Sequence, residues 1–505
     1  MSTIQREHIK HNGRFEVEKF PYRSLRGFLG DMEERGELAH IAEEVSTEYE
    51  LNAIVKKVSR SYIKGPGLYF HKPKDFPDWT FATNTLLTYD RYLRAMNTTR
   101  EEVFEYYIER TKAVTHENLE DYYEVVERGD FEDLVFEGEE IDITKIPIPI
   151  WNEFDGGRYI TSGIVMTCNP ETNRQNMAIL RLMVQSSNQT GILMVPVQDS
   201  AKNLRLHELK GENMPISVVI GADPLIYALS QVPAPSDISE FAYWGAITGE
   251  RIQMVKCKTN NLLVPKTSEI VLEGEIPLGI LQAEGPFGEF HGLYSGVRDS
   301  NIFKIKRVSM KRDAIYQGLP NHKEPCESFL IGHLGIDLET MRYARSYFPE
   351  IKGIRTVSAY GLTTVVAIDH KKDQAGLGKR AGHFLWTSSQ IDKVAKNIIV
   401  VDDTVDIYSD YEILWALGSY VQGNKDISIV EGTPGVQIEP SESWSMGYIE
   451  PPGLNLGTTT RTVIDATPKK GIFGEGYKRG VANPPEEVKK KVEERWPTLG
   501  LDRYS

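Results

Sequence analysis

GIVMTC (163–168), AILRLMV (178–184), ILMVPV (192–197), PISVVIG (215–221), IQMVKCK (252–258) and EIVLEGEI (269–276) follow one another through the middle of the chain as short apolar runs. The linkers between them carry Asn, Gly, Thr or Pro, residues that turn a chain rather than continue a helix. Runs this short and this close favour a barrel or a strongly curved sheet, from about residue 143 onward, over alternating βαβ units.

The texture differs on either side. Toward the N-terminus, Ser24 precedes Leu25, Phe28, Leu29 and Met32 at helical spacing, and Gly36 stands where such a helix ends. ELNAIVKKVSR (50–60) reads as a second amphipathic helix and GPGLYF (65–70) as a turn into a strand. Residues 90–130, rich in Glu, Tyr and Arg, read as helical with a solvated face. After 326 a helix around IDLETMRYARSY leads to strands TTVVAID and NIIVVDD and a helix YEILWALGSYV. The end, PPEEVKKKVEERWPTLG, predicts a helix with Pro485 near its start and Val488, Val492 and Trp496 on one face. The expected organisation is an N-terminal α/β portion (1–115), a β-rich domain (116–325), a C-terminal α/β domain (326–465) and a tail with a helix (466–505).

Composition bounds the function. At about 150 residues per domain, 505 residues make two or three domains with proper cores. The balance of 58 Lys+Arg against 72 Asp+Glu, net −14, lacks the electrostatic footprint of a nucleic-acid or anionic-membrane binder. Cys168, Cys257 and Cys326 are far apart and form no C-x-x-C pair, which excludes a disulfide framework and a thiolate zinc site. MSTIQREHIKHNGR has no apolar h-region, and the longest apolar stretches are broken by Asp or Pro, so a soluble cytoplasmic protein is expected.

Two glycine-rich segments, GLGKRAGH (376–383) and GIFGEGYKRG (471–480), lack the spacing of phosphate loops and read as ordinary turns. LQAEGPFGEFHG (281–292) is different. Glu284, Glu289 and His291 share a loop with Gly285, Pro286, Gly288 and Gly292, so two carboxylates can face one cavity, where repulsion and desolvation turn one into a proton donor. The competing reading is an exposed acidic loop. Arg181 sits inside the apolar NMAILRLMVQ (176–185), and either points to solvent or clamps a carboxylate in two-point fashion. Asn176, Asp199 and Glu240 offer hard oxygen donors of the kind that suit Mg²⁺, Mn²⁺ or K⁺ rather than zinc.

Taken together, EIVLEG…EGPFGEFHG, NMAILRLMV, VPVQD, SEFAYWGAITG and IIVVDDTVDIYSDYEILWAL resemble the UbiD-like family of reversible decarboxylases that use prenylated FMN. The resemblance runs over nearly the whole chain. It implies an α+β fold, with an N-terminal α/β portion, a split β-barrel flavin-binding domain and a C-terminal α/β oligomerisation domain that builds a homodimer or homohexamer. It implies Arg181, Glu284 and Glu289 as the catalytic trio acting on an aromatic or α,β-unsaturated acid and CO₂, with a flavin prenyltransferase supplying the cofactor. Residues 176–181 (Asn176, Met177, Ala178, Ile179, Leu180, Arg181), Gln198, Asp199 and Glu240 would line the flavin, and Asn176, Asp199 and Glu240 would hold a divalent metal at its phosphate. The sequence departs from the family pattern at Asp199, which stands where cinnamic-type members have a His, and near Ser388 and Ser389, where a basic residue is expected. The alternatives are a partner-dependent or non-catalytic subunit of a multi-chain carboxylase, and a plain FMN oxidoreductase.

Overall fold

A computed structural model describes residues 15–60, 65–196, 198–357, 362–369, 371, 374–388, 395–435, 439, 458–468 and 482–499. GIFGEGYKRG and Ser389 lie outside these residues.

The fold is α+β. Its centre is a ten-stranded antiparallel sheet in which Tyr159–Ile160, Leu182–Ser186, Gln189–Ile192, Arg298–Met310, Ile270–Ile276, Met214–Ile220, Ile164–Cys168 and Gln175–Ile179 are successive neighbours. Leu281–Glu284 and Leu134–Glu137 add to the long strand Arg298–Met310. No ladder joins the two end strands among the described residues, so the sheet curves without closing. Ile216, Val218 and Ile220 point into one core with Leu182, Leu272 and Phe303, whereas Val219 points into the other. Burial on both faces explains why these strands read as continuous apolar runs.

Two of the runs end earlier than the sequence suggests. ILMVPV keeps its strand only to Ile192 and then turns toward the helix Asp199–Lys210. AILRLMV is two strands, Gln175–Ile179 and Leu182–Ser186, on different ladders, with Leu180 and Arg181 as the corner between them. Residues 90–130 are helical only in part: Tyr89–Met96 and Val103–Thr111 are helices, and Tyr123–Val126 is a strand.

On the N-terminal side, Ser24 accepts from the Gly27 amide and caps Leu25–Glu34, which buries Leu25, Phe28, Leu29 and Met32. The neighbouring four-stranded sheet is completed by Ile315–Gln317, a strand far along the chain that pairs in parallel with Thr80–Thr83. Arg26 fastens the first helix to the central sheet through Glu269 at 2.9 and 2.8 Å, and Lys311 reaches the same carboxylate at 3.0 Å. Burial pushes the Glu269 carboxyl up, but its partners, Arg26 first, outweigh burial and hold it below the usual range. Arg26→Met would strip a buried carboxylate of its two-point partner, so a loss of about 3 kcal/mol is expected in urea unfolding. An unchanged midpoint would remove this clasp from the account.

In the C-terminal part, Ile351–Thr356, Thr363–Ile368, Asn397–Asp402, Thr458–Asp465 and Ile427–Pro434 form a five-stranded sheet beside the helix Glu327–Tyr347. GLGKRAGH is the start of the helix Leu377–Leu385, with Gly376 at φ +76° ahead of it, not a phosphate loop. The last helix, Glu486–Arg495, leaves Val488 and Val492 exposed rather than packed. The three cysteines are free, and no helix among the described residues is long and apolar enough to cross a membrane.

Candidate active site

Arg181 projects from the two-residue corner between its flanking strands. Its Nε and Nη2 donate to the two oxygens of Glu284 at 3.0 and 2.7 Å. Its Nη1 donates to Glu289 and, at 3.0 Å, to the Ser295 hydroxyl. The guanidinium lies over the Phe287 ring, 4.9 Å from its centre. The Glu284 side chain is fully buried, and those of Arg181 and Glu289 are only 8% and 11% exposed. The solvent-facing reading of Arg181 and the exposed-loop reading of the acids are both excluded by this geometry. Burial works against the Arg181 charge, but Glu289 and Glu284 outweigh it and raise the group above its ordinary value.

Local structure places each acid. Glu284 ends the strand Leu281–Glu284, directly opposite Arg298 on the long strand. Residues 285–286 then turn the chain into the small hairpin Phe287–Gly288 and Tyr294–Ser295, whose loop begins with Glu289. The Glu289 amide donates to Leu293 O and the Gly292 amide to Glu289 O, each at 2.9 Å. Gly156 packs under this loop so closely that a Cβ there would lie 2.3 Å from the Gly285 carbonyl. Asp155, from the same segment, accepts from the Gly288 amide at 2.8 Å, and burial pushes its carboxyl up to about 6. Burial lowers the His291 imidazole to about 4. Phe290 packs its ring on Phe329 and His333 of the helix Glu327–Tyr347, at 6.2 and 5.6 Å between centroids.

Several residues here escape the sequence reading. Ser295, Phe287 and Asp155 carry no motif of their own. Arg298 is the most consequential: residues directly opposite in an antiparallel pair share a face, so it stands on the Glu284 side of the sheet. Its Nε is buried without a partner, and burial together with the Arg181 charge lowers its pKa. It forms no ion pair with a carboxylate among the described residues.

Asp199 and Glu240 are gathered around one residue, Arg174, two positions before Asn176. Its Nη1 lies 3.5 Å from Asp199 Oδ2, and its Nη2 lies 3.4 Å from Glu240 Oε1. Met177 donates its amide to Glu240 Oε2 at 3.0 Å, and Lys202 reaches Asp199 Oδ1 at 2.8 Å. Burial raises the Glu240 carboxyl to about 7 despite Arg174. Gln198 turns its side chain back to accept from the Val195 amide, and Ile179 O accepts from Gln231. Ala178 and Ile179 are half-buried, and Leu180 is buried. Two buried polar atoms in this region, Asn176 Nδ2 and Ser200 Oγ, have no partner.

Comparison with known proteins identifies the family. Residues 29–111, 124–323 and 329–466 match the N-terminal, Rift-related and C-terminal domains of 3-octaprenyl-4-hydroxybenzoate carboxy-lyase. The chain belongs to the UbiD family. This UbiD chain is similar to the UbiD-class enzyme HmfF from Pelotomaculum thermopropionicum in complex with FMN, with 25% identity, TM-score 0.82 and coverage of 93% of this chain and 99% of that one. It is also similar to the open form of the vanillic acid decarboxylase of Sedimentibacter hydroxybenzoicus, with 26% identity, TM-score 0.81 and coverage of 95% and 99%. The uncharacterized protein sll0936 of Synechocystis sp. is 27% identical, covering 95% of this chain and 96% of its own length.

Proposed function

We propose that this UbiD-family chain is a carboxy-lyase, a reversible non-oxidative decarboxylase or carboxylase of an aromatic or α,β-unsaturated carboxylic acid, acting with prenylated FMN. The observation that carries this reading is Arg181 held between Glu284 and Glu289 in a water-poor site. A plain flavin oxidoreductase would leave that assembly without a task.

The residues fit a flavin. Asn176 Nδ2 and Ser200 Oγ are buried polar atoms without partners, suited to ribityl and phosphate oxygens, and Gln198 and the edge of residues 176–180 adjoin them. When bound, the modified flavin supplies the electron sink that an sp² carbanion needs and no side chain offers.

The chain's own groups do the rest. A guanidinium has five N–H donors, and Arg181 commits four of its own to Glu284, Glu289 and Ser295. Arg298, with an idle buried donor beside Glu284, is the second cation available to a substrate carboxylate. A bound acid then makes three anions (its own carboxylate, Glu284 and Glu289) against two cations, Arg181 and Arg298. Glu289, the more accessible of the two acids and held through one oxygen by a single guanidinium nitrogen, is the one placed to exchange a proton with the substrate. R–COO⁻ with protonated Glu289 gives R–H, CO₂ and ionised Glu289. In reverse, ionised Glu289 accepts the proton while CO₂ adds.

Arg298→Gln is expected to raise KM for the acid by about 10–100-fold, with a smaller change in kcat and unaltered FMN binding, since the lost bond is charge-assisted. An unchanged KM would leave Arg298 a bystander. The reading as a whole is tested by co-expression with a flavin prenyltransferase and an anaerobic screen of aromatic and enoic acids for CO₂ release or exchange. A plain FMN spectrum with no exchange on any acid would overturn it.

A further inference from the structure

A divalent ion at Asn176, Asp199 and Glu240 would need oxygen ligands free to turn toward it, since Mg²⁺ and Mn²⁺ prefer about six. Here all four carboxylate oxygens already face donors: Arg174 and Lys202 on Asp199, Arg174 and the Met177 amide on Glu240. What lies between the two acids is a guanidinium.

The Arg174 side chain is only 6% exposed. Its Nε is spent on the Ile238 carbonyl at 2.5 Å, which fixes the plane of the fork, and one N–H of each terminal nitrogen faces an acid. Asp199 and Glu240 are the first residues of two helices, Asp199–Lys210 and Glu240–Thr248, so the guanidinium also joins two helix N-termini. The second N–H of each terminal nitrogen remains for an anion. Paired with those helix ends, that makes an arrangement suited to a phosphate. The Asp at 199 belongs to the same logic: an acid, unlike a His, can pair with an internal cation.

We infer that Arg174 is the resident cation of this site, taking the position between Asp199 and Glu240 that a divalent metal would otherwise occupy, and that it anchors the flavin phosphate without a metal. The second half rests on the flavin reading above; the first does not.

The test measures metal and flavin separately. Purified wild-type protein and Arg174→Gln are titrated with Mn²⁺ alone, followed by electron paramagnetic resonance, and with FMN alone, followed by flavin fluorescence, each with and without chelator. Wild type is expected to hold no stoichiometric Mn²⁺ and to bind FMN within about twofold of the same affinity in chelator. Arg174→Gln should lose FMN affinity by about tenfold or more and gain a Mn²⁺ site that restores part of it. Arg174→Lys keeps the charge but reaches only one acid. It guards against a folding defect, and should fold with a weaker FMN affinity and still exclude Mn²⁺. Stoichiometric Mn²⁺ in wild type, with FMN lost on chelation, would overturn the inference, as would Arg174→Gln binding FMN like wild type. Mn²⁺ excluded from wild type and admitted by Arg174→Gln, but no FMN bound by either, would keep the resident cation and overturn its flavin role together with the flavin reading.

Discussion

Glu289→Gln is expected to lower turnover by about 10²–10⁴-fold, roughly 3–5 kcal/mol in the barrier, with fold and flavin binding retained. The substitution is nearly isosteric, and Glu289 lies at the edge of the assembly, so the amide can still accept from Arg181 Nη1 through its oxygen. The Ser295 contact to the same nitrogen is untouched. What disappears is the proton. Because the proton moves in the chemical step and not in binding, the loss should fall on kcat more than on KM. Steady-state CO₂ release from the holoenzyme, set beside deuterium exchange into product, reports it. Wild-type rates in both would move the proton donor elsewhere.

Arg181→Lys should cost at least about 10² in kcat/KM although the charge is conserved. An ammonium cannot reproduce the paired bonds to Glu284 and at the same time reach Glu289 and Ser295, which Arg181 does from one plane. Glu284, fully buried, would keep a cation but lose one of its two bonds, so a modest loss of stability accompanies the catalytic one. Leu182→Lys provides the contrast. Leu182 is fully buried in the apolar core on the next residue, and a lysine there should prevent stable folding rather than slow a folded enzyme. If Arg181→Lys turned over normally, the roles of Glu284 and Glu289 would have to be reassigned as well.

The strands of the central sheet were legible because burial on both faces writes itself into sequence as unbroken apolar runs, as in PISVVIG and EIVLEGEI. The site's parts were legible too, as residue types: an arginine amid leucines and two acids in a glycine-rich loop. Their assembly was not, since Arg181 and Glu284 are 103 positions apart and meet only through ladders that neighbouring residues do not encode. The corner at Leu180 and Arg181 was hidden inside what looks like one strand, and the change of ladder there is a tertiary event. Arg298 and Arg174 were invisible for a related reason: each matters through what it faces across a pairing or a helix end. Likewise nothing near residue 80 announces that Ile315–Gln317 completes its sheet. The opposite error appears at Val488 and Val492, where helical spacing promised a packed face and both side chains are exposed.

Phe290 touches Phe329 and His333, and this contact crosses between two kinds of scaffold. Glu284 and Arg298 are set by strand pairing, where a shift of one residue would turn every side chain to the wrong face, and Arg181 by the corner between two ladders. Phe329 and His333 ride on a helix, one turn apart, with their rings stacked at 3.9 Å. The two scaffolds can therefore be altered separately. Exchanging either ring on the helix would reach the loop that carries Glu289 through Phe290, and leave the ladders that hold Glu284 and Arg298 in register.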